Sequence, residues 1–229
     1  LILIEDAAQS INLKYRSKYV GSYGDFGAIS FHETKNIHCG LGGCLIINNK
    51  KFLKRSNYIW NRGTNRSEYD VNKIKKYSWY ELGSNYYPSE IQSLILFNQL
   101  NESEKIFRIR KKIFNNYINE LENIKSNFFK IKCNKKSNYH AIYLICKNQK
   151  IRNSLKKWFK KFNIETTSHY EPLHNSKFSK KNKKYIKNSQ CKNATNLSKT
   201  ILRLPLHLYL SIKDVNYICL TLKKFNCLK

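Results

Sequence analysis

Short apolar runs closed by polar turns dominate the first fifty residues. Leu1-Ile2-Leu3-Ile4 ends in Glu5-Asp6-Ala7-Ala8-Gln9, Ala28-Ile29-Ser30-Phe31 feeds His32-Glu33-Thr34-Lys35-Asn36, and residues 44–47 are closed by Asn48-Asn49. Runs this short and continuous predict fully buried strands of a sheet covered on both faces. Residues 14–18 read as a polar connection and Gly21-Ser22-Tyr23-Gly24-Asp25 as a turn. The pattern then turns helical over residues 51–60. Pro88 suits a first helical turn. Residues 89–99 read as a helix apolar on one face, and 102–120 as a long basic helix burying Ile106, Ile109, Ile113, Phe114 and Tyr117.

A second unit begins near residue 126. Residues 128–133 and 140–146 read as strands, and 151–162 as an amphipathic helix with Leu155, Trp158 and Phe159 inward. A short strand over 165–170 leads to Glu171-Pro172-Leu173-His174, and 177–192 is a lysine-rich, low-complexity loop. Pro205 confines 202–206 to an edge strand, and 214–225 is the closing helix. The expected organisation is α/β, with one unit over 1–125 and a smaller α/β unit over 126–229.

Composition narrows this picture. A chain of 229 residues, 41% hydrophobic with 16 Tyr and 12 Phe, has enough apolar content for a real core. It contains no methionine and starts inside a strand-like run, so an N-terminal part is expected to be missing from it. No stretch reads as a signal peptide or reaches the roughly 20 apolar residues of a membrane helix. The seven cysteines form no CxxC pair, which fits free thiols in a reducing cytoplasm better than disulfides or zinc. The six histidines are dispersed, and no metal site is expected. The net charge of +28 fits either a polyanion-binding surface or a genome biased toward A and T. Lysines scattered along the chain and mixed with Asn favour the second, and nucleic acid is not the expected partner.

The candidate chemistry lies where the runs end. Asp6 stands at the carboxyl end of the first, where open parallel sheets place their ligand sites; taken alone it reads as a helix N-cap. Ser30 and Lys35 follow the second, backed by Gly40, Gly42 and Gly43, which permit close backbone approach or positive φ. A carboxylate leaving one strand and a lysine leaving another are the pair that pyridoxal 5'-phosphate (PLP) chemistry needs. The amine condenses with the cofactor aldehyde, and the carboxylate pairs with the protonated pyridine nitrogen. Arg62-Gly63-Thr64-Asn65-Arg66-Ser67 reads equally as an anion grip or a solvated loop.

Six blocks, in order, resemble the DegT/DnrJ/EryC1/StrS family of sugar nucleotide aminotransferases, PLP enzymes of the aspartate aminotransferase fold. They are Glu5-Asp6-Ala7-Ala8-Gln9, Ser30-Phe31-His32-Glu33-Thr34-Lys35-Asn36, Gly63-Thr64-Asn65-Arg66-Ser67, Lys76-Tyr77-Ser78-Trp79, His169-Tyr170-Glu171-Pro172-Leu173-His174 and Leu202-Arg203-Leu204-Pro205-Leu206. The resemblance implies an incomplete large PLP-binding domain followed by a small C-terminal domain. It makes Lys35 the Schiff-base lysine and proton shuttle, Asp6 the pyridinium partner, Gln9 a contact to the ring and its phenolic oxygen, and Ser30 a phosphate ligand. Asn85 would reach the cofactor phosphate of a neighbouring subunit, implying a homodimer with shared sites. His169, Tyr170 and His174 would lie near the sugar nucleotide.

The His-Glu-Thr-Lys-Asn and Gly-Thr-Asn-Arg-Ser blocks resemble the members that pass the amino group of L-glutamate to the 4-keto carbon of dTDP-4-dehydro-6-deoxy-D-glucose, in enterobacterial common antigen synthesis. Two positions depart from the family: Leu41 replaces a usual Glu, and Tyr87 a frequent Arg. The family's N-terminal portion, with a phosphate-binding turn and a ring-stacking aromatic, is not in this chain, so the chain alone is not expected to be a competent enzyme. The alternatives are a non-catalytic remnant of the fold and a basic nucleic-acid-binding protein.

Overall fold

The computed structural model describes residues 1–131, 137–182 and 191–227. The chain divides into two units, Leu1–Ile106 and Phe107–Lys229. The expected division between residues 125 and 126 lies just past the end of the long helix α4 (Ser103–Glu122) that contains the observed one.

In the first unit, β1 (Ile4–Asp6), β4 (Phe26–Ser30) and β5 (Gly43–Ile47) form a sheet in the order β1-β4-β5. β1 runs parallel to β4, with Asp6 opposite Ala28, and β5 is antiparallel to β4, with Gly43 opposite Ser30. The expected polar connection is instead a hairpin of β2 (Lys14–Tyr15) and β3 (Lys18–Tyr19). Its turn residues Arg16 and Ser17 both have positive φ, 45° and 70°, as a tight hairpin requires.

The strands predicted to be buried are not. Leu1, Ile2, Leu3 and Ile4 are exposed, as is Leu45 on β5, and the first strand starts at Ile4 rather than Leu1. β1 and β5 each have one neighbour among the described residues, which leaves an open edge on each. Helix α1 (Leu53–Trp60) forms as read, and a short α2 spans Arg66–Asp70. Helix α3 (Glu90–Asn101) starts at a capping box of Ser89 and Gln92, with Pro88 before the cap. Its apolar residues do not gather into one stripe: Ile91, Leu94, Ile95, Phe97 and Leu100 are all exposed.

The second unit holds the larger core. Strands β6 (Phe129–Ile131), β7 (Ile142–Cys146) and β8 (Ile201–Leu204) form an antiparallel sheet with β7 central. The stripe on α4 packs as predicted: Ile113, Phe114 and Tyr117 are buried with Leu121. They share a core with Leu155 and Phe159 of α5 (Gln149–Lys161) and with Val215, Cys219 and Leu222 of α8 (Ile212–Cys227). Each large side chain so buried contributes about 1.5–3 kcal/mol. Between them lie the short α6 (Lys177–Lys181) and α7 (Lys192–Thr200). The expected strand at 165–170 reduces to a single bridge, Thr167 with Arg203. Residues 132–136 of the predicted strand and 183–190 of the predicted loop lie outside the described residues.

Candidate active site

Asp6 and Ser30 stand at the carboxyl ends of β1 and β4. The parallel register places Asp6 beside Ala28, and the Ala7 N–H donates to the Ala28 carbonyl at 2.9 Å. Side chains alternate along a strand, so Asp6, Ala28 and Ser30 share one sheet face. Asp6 does not cap a helix, since none follows. Its Oδ1 accepts from Ala8 N–H at 3.1 Å, closing a turn, and it stands exposed. Gln9 lies exposed two residues past Ala7. The Ser30 hydroxyl oxygen accepts from His32 N–H at 3.3 Å.

Lys35 rides on a loop fixed at several points. Phe31 N–H donates to Gly42 O at 2.8 Å, Glu33 N–H to Gly40 O at 2.8 Å, and Lys35 N–H to His32 O at 2.9 Å. Gly40 has φ +85°, while at Gly42 a Cβ would stand 2.5 Å from Cys39 Sγ. The loop is also tied to α3. His38 N–H donates to Gln99 Oε1 at 2.9 Å, and Gln92 Nε2 donates to Leu41 O at 2.9 Å. At the departure Leu41, then, the main chain makes the contact, and the exposed side chain leaves it undisturbed.

Glu5 received no separate role from its sequence, yet it shapes the same end of the sheet. Its carboxylate accepts from the backbone N–H groups of Gly21 at 2.9 Å and Gly24 at 2.7 Å, and from that of Tyr23. These bonds, Gly24 first, hold its carboxyl below the usual carboxylate range. Gln92 and Gln99 were also missed; a glutamine on a helix carries no signal of what it reaches.

The basic loop folds as a structural turn. Thr64 and Asn65 are buried, with Thr64 Oγ1 donating to Asn61 O at 2.7 Å and Asn65 Oδ1 accepting from Ser78 N–H at 2.8 Å. A Cβ on Gly63, whose φ is +76°, would lie 1.8 Å from Glu81 O, so no other residue fits there. Arg66 pairs with Asp70 at 3.5 Å, and Arg62 is exposed. Asn85 is exposed and bridged to Asn61. Tyr87, the second departure, stacks on Trp60 at 4.2 Å, and its hydroxyl donates to Asn61 Oδ1.

His169, Tyr170 and His174 belong to the second unit. His169 and Tyr170 are exposed to solvent overall; partial desolvation of the His169 imidazole, then the Arg203 guanidinium, holds it below its ordinary pKa. The half-buried His174 bonds Thr195 Oγ1 through Nε2 at 2.9 Å. Among the described residues no three His, Cys, Asp or Glu side chains form a metal-binding group. No helix among them is long and apolar enough to cross a membrane.

A model of the DegT/DnrJ/EryC1/StrS aminotransferase family matches residues 1–223. The chain belongs to this family. It is 29% identical over 229 residues to the UDP-4-amino-4,6-dideoxy-N-acetyl-beta-L-altrosamine transaminase of Campylobacter jejuni serotype O:23/36, covering 94% of this chain and 56% of that protein. Two solved structures share the fold. Helicobacter pylori PseC, an aminotransferase of pseudoaminic acid biosynthesis, superposes with a TM-score of 0.84 at 20% identity, covering 100% of this chain and 60% of PseC. Escherichia coli GDP-4-keto-6-deoxy-D-mannose-3-dehydratase, solved with bound hydrated PLP, gives 0.77 at 19% identity, covering 97% and 60%. The family assignment and the PLP-dependent transferase fold read from the motif blocks therefore hold. The chain spans less than two thirds of these proteins' length.

The donor set suits the family's cofactor. A carboxylate and a hydroxyl on one sheet face, with an amine on the loop leaving the same strand end, match a pyridine nitrogen, a phosphate and an aldehyde.

Proposed function

We propose that the protein carrying this chain transfers the amino group of L-glutamate to the 4-keto carbon of a sugar nucleotide, using PLP. One observation carries the reading: Asp6 and Ser30 share a face at the carboxyl ends of parallel strands, and the Lys35 loop leaves that same end. PLP supplies an electron sink for the bonds made and broken at the amino-bearing carbon. The Asp6 carboxylate pairs with the pyridine nitrogen, Gln9 meets the phenolic oxygen, and the Ser30 hydroxyl binds the phosphate. The Lys35 amine would hold the cofactor at its aldehyde carbon and would act as the acid–base group that moves a proton at the amino-bearing carbon of the substrate. Asn85 reaches the cofactor phosphate of a neighbouring subunit in a homodimer, and His169, Tyr170 and His174 face the sugar nucleotide. The work is cytoplasmic.

The proposed acceptor is dTDP-4-dehydro-6-deoxy-D-glucose, giving dTDP-4-amino-4,6-dideoxy-D-galactose for enterobacterial common antigen. The motif blocks around Lys35 and Asn65 support it. The relatives named above are described with UDP- and GDP-linked sugars, so the base is the point to test. Purified protein with PLP and L-glutamate should form 2-oxoglutarate fastest with the dTDP sugar. A faster reaction with a UDP or GDP sugar would refute the dTDP assignment, and no 2-oxoglutarate with any of them would refute transamination. The exposed apolar faces of the first unit favour one second reading, a non-catalytic remnant of the fold. That remnant would bind no PLP through Lys35.

A further inference from the structure

His32 is bonded to both Ser30 and Lys35. Its N–H donates to the Ser30 hydroxyl oxygen at 3.3 Å, and its carbonyl accepts from Lys35 N–H at 2.9 Å. The ring makes a third link: Nδ1 faces the Thr34 N–H at 3.3 Å and the Thr34 Oγ1 at 3.1 Å. Thr34 immediately precedes Lys35, so the ring closes the turn from which the lysine side chain leaves.

The chemistry of these groups fixes the state of the ring. A backbone amide is a donor only, so Nδ1 accepts from Thr34 N–H and carries no proton. The neutral imidazole then holds its one proton on Nε2. A second proton, on Nδ1, would make that nitrogen a donor facing an amide donor, and the ring contact would be lost. The loop itself carries three other charged or titratable side chains, Glu33, Lys35 and His38. Among the described residues no ion pair joins Glu33 to His32. The contacts of α3 with the loop come from Gln92 and Gln99, both uncharged.

We propose that His32, neutral and protonated on Nε2, is a positioning residue for Lys35, and that proton uptake at Nδ1 releases the turn. The consequence for catalysis rests on the reading of Lys35 as the residue that holds PLP; the ring contact does not.

The whole chain, without PLP, is followed by NMR across the range in which its histidines titrate. The ring nitrogen shifts of neutral His32 should place the proton on Nε2; a proton on Nδ1 would overturn the proposal. Exchange of the Thr34 amide, corrected for its intrinsic pH dependence, should speed up about three- to tenfold as pH falls, as the loss of one hydrogen bond of ordinary strength requires. That change should follow the His32 ring resonances rather than those of His38. His32→Asn offers an amide oxygen as acceptor in place of Nδ1, one that takes up no proton in this range, and should keep the slow exchange at every pH. His32→Leu offers no acceptor and should exchange fast at every pH. The β7 amides should be unchanged in both variants, which shows each to be folded. Thr34 exchange that ignores the His32 titration, or that is equal in the Asn and Leu variants, would overturn the proposal. With PLP added, the absorption band of Lys35-bound cofactor should weaken in His32→Leu and return in His32→Asn. Equal bands in all three proteins would overturn the positioning role. The expected exchange pattern with no such band in any of them would leave the ring contact standing and refute only Lys35 as the cofactor lysine.

Discussion

The loop that presents Lys35 should loosen when α3 releases it. Gln99 is partly buried, and its Oε1 accepts the His38 N–H at 2.9 Å; its Nε2 also lies 3.4 Å from the His38 ring Nε2. Gln99→Leu keeps similar bulk but removes both partners. One backbone bond contributes about 1 kcal/mol net, and stranding a half-buried N–H raises the loss to about 1–2 kcal/mol. The second contact is long and adds little. Such a loss raises the population of opened loop about 5–30-fold. Amide hydrogen exchange reads this directly, because Glu33, Lys35 and Cys39 all donate within the loop. Their protection should fall by that factor while the amides of β7 and α8 keep theirs. Unchanged protection would show that α3 does not hold the loop. A uniform loss across the chain would mean a global effect and refute the local anchor.

Other consequences follow from the same contacts. Phe159→Ala empties a site with no solvent exposure and should cost about 3–5 kcal/mol, read as a lower urea midpoint in Trp158 fluorescence. Tyr117→Phe strands the Pro205 carbonyl, which accepts the hydroxyl at 2.9 Å, and should cost about 1–3 kcal/mol in the same assay. Burial pushes the Cys146 and Cys219 thiols up to about 11 and about 12, so both should resist alkylation at pH 8 until the chain unfolds, while exposed Cys44 and Cys191 react. These thiols keep their protons longer when folded than unfolded, so their contribution to stability is lost as pH rises above about 9. For Glu5 the sign is opposite: its folded pKa is depressed, so the 21–24 turn should lose protection as pH falls below the ordinary carboxylate range, and Glu5→Gln should lose it at neutral pH.

The second unit was legible where its long helices α4 and α5 bury one stripe each. The spacing of Ile113, Phe114 and Tyr117 and of Leu155 and Phe159 reports a face, and those faces meet in the core. The first unit misled chiefly in burial, and in element type at the β2–β3 hairpin, which read as a polar connection. Continuous apolar runs promise cover on both faces, but Leu1–Ile4 and Leu45 stand exposed on a sheet of three strands, a tertiary fact that local pattern does not encode. Asp6, Ser30 and Lys35 could be placed because strand ends are where runs stop. The anchors Glu5, Gln92 and Gln99 could not, because each acts on backbone groups far away in sequence. The Gly-Thr-Asn-Arg-Ser block held both readings open; the structure makes Gly63, Thr64 and Asn65 parts of a buried turn.

The most direct test of the central claim is a visible absorption spectrum after adding PLP to protein purified from the complete reading frame, beside a Lys35→Ala control. A band at about 400 nm, the region where protonated PLP imines absorb, should form in the wild type, be discharged by L-glutamate and be lacking in the control. A band of equal strength in both proteins, or none in either, would contradict Lys35 as the residue that holds the cofactor.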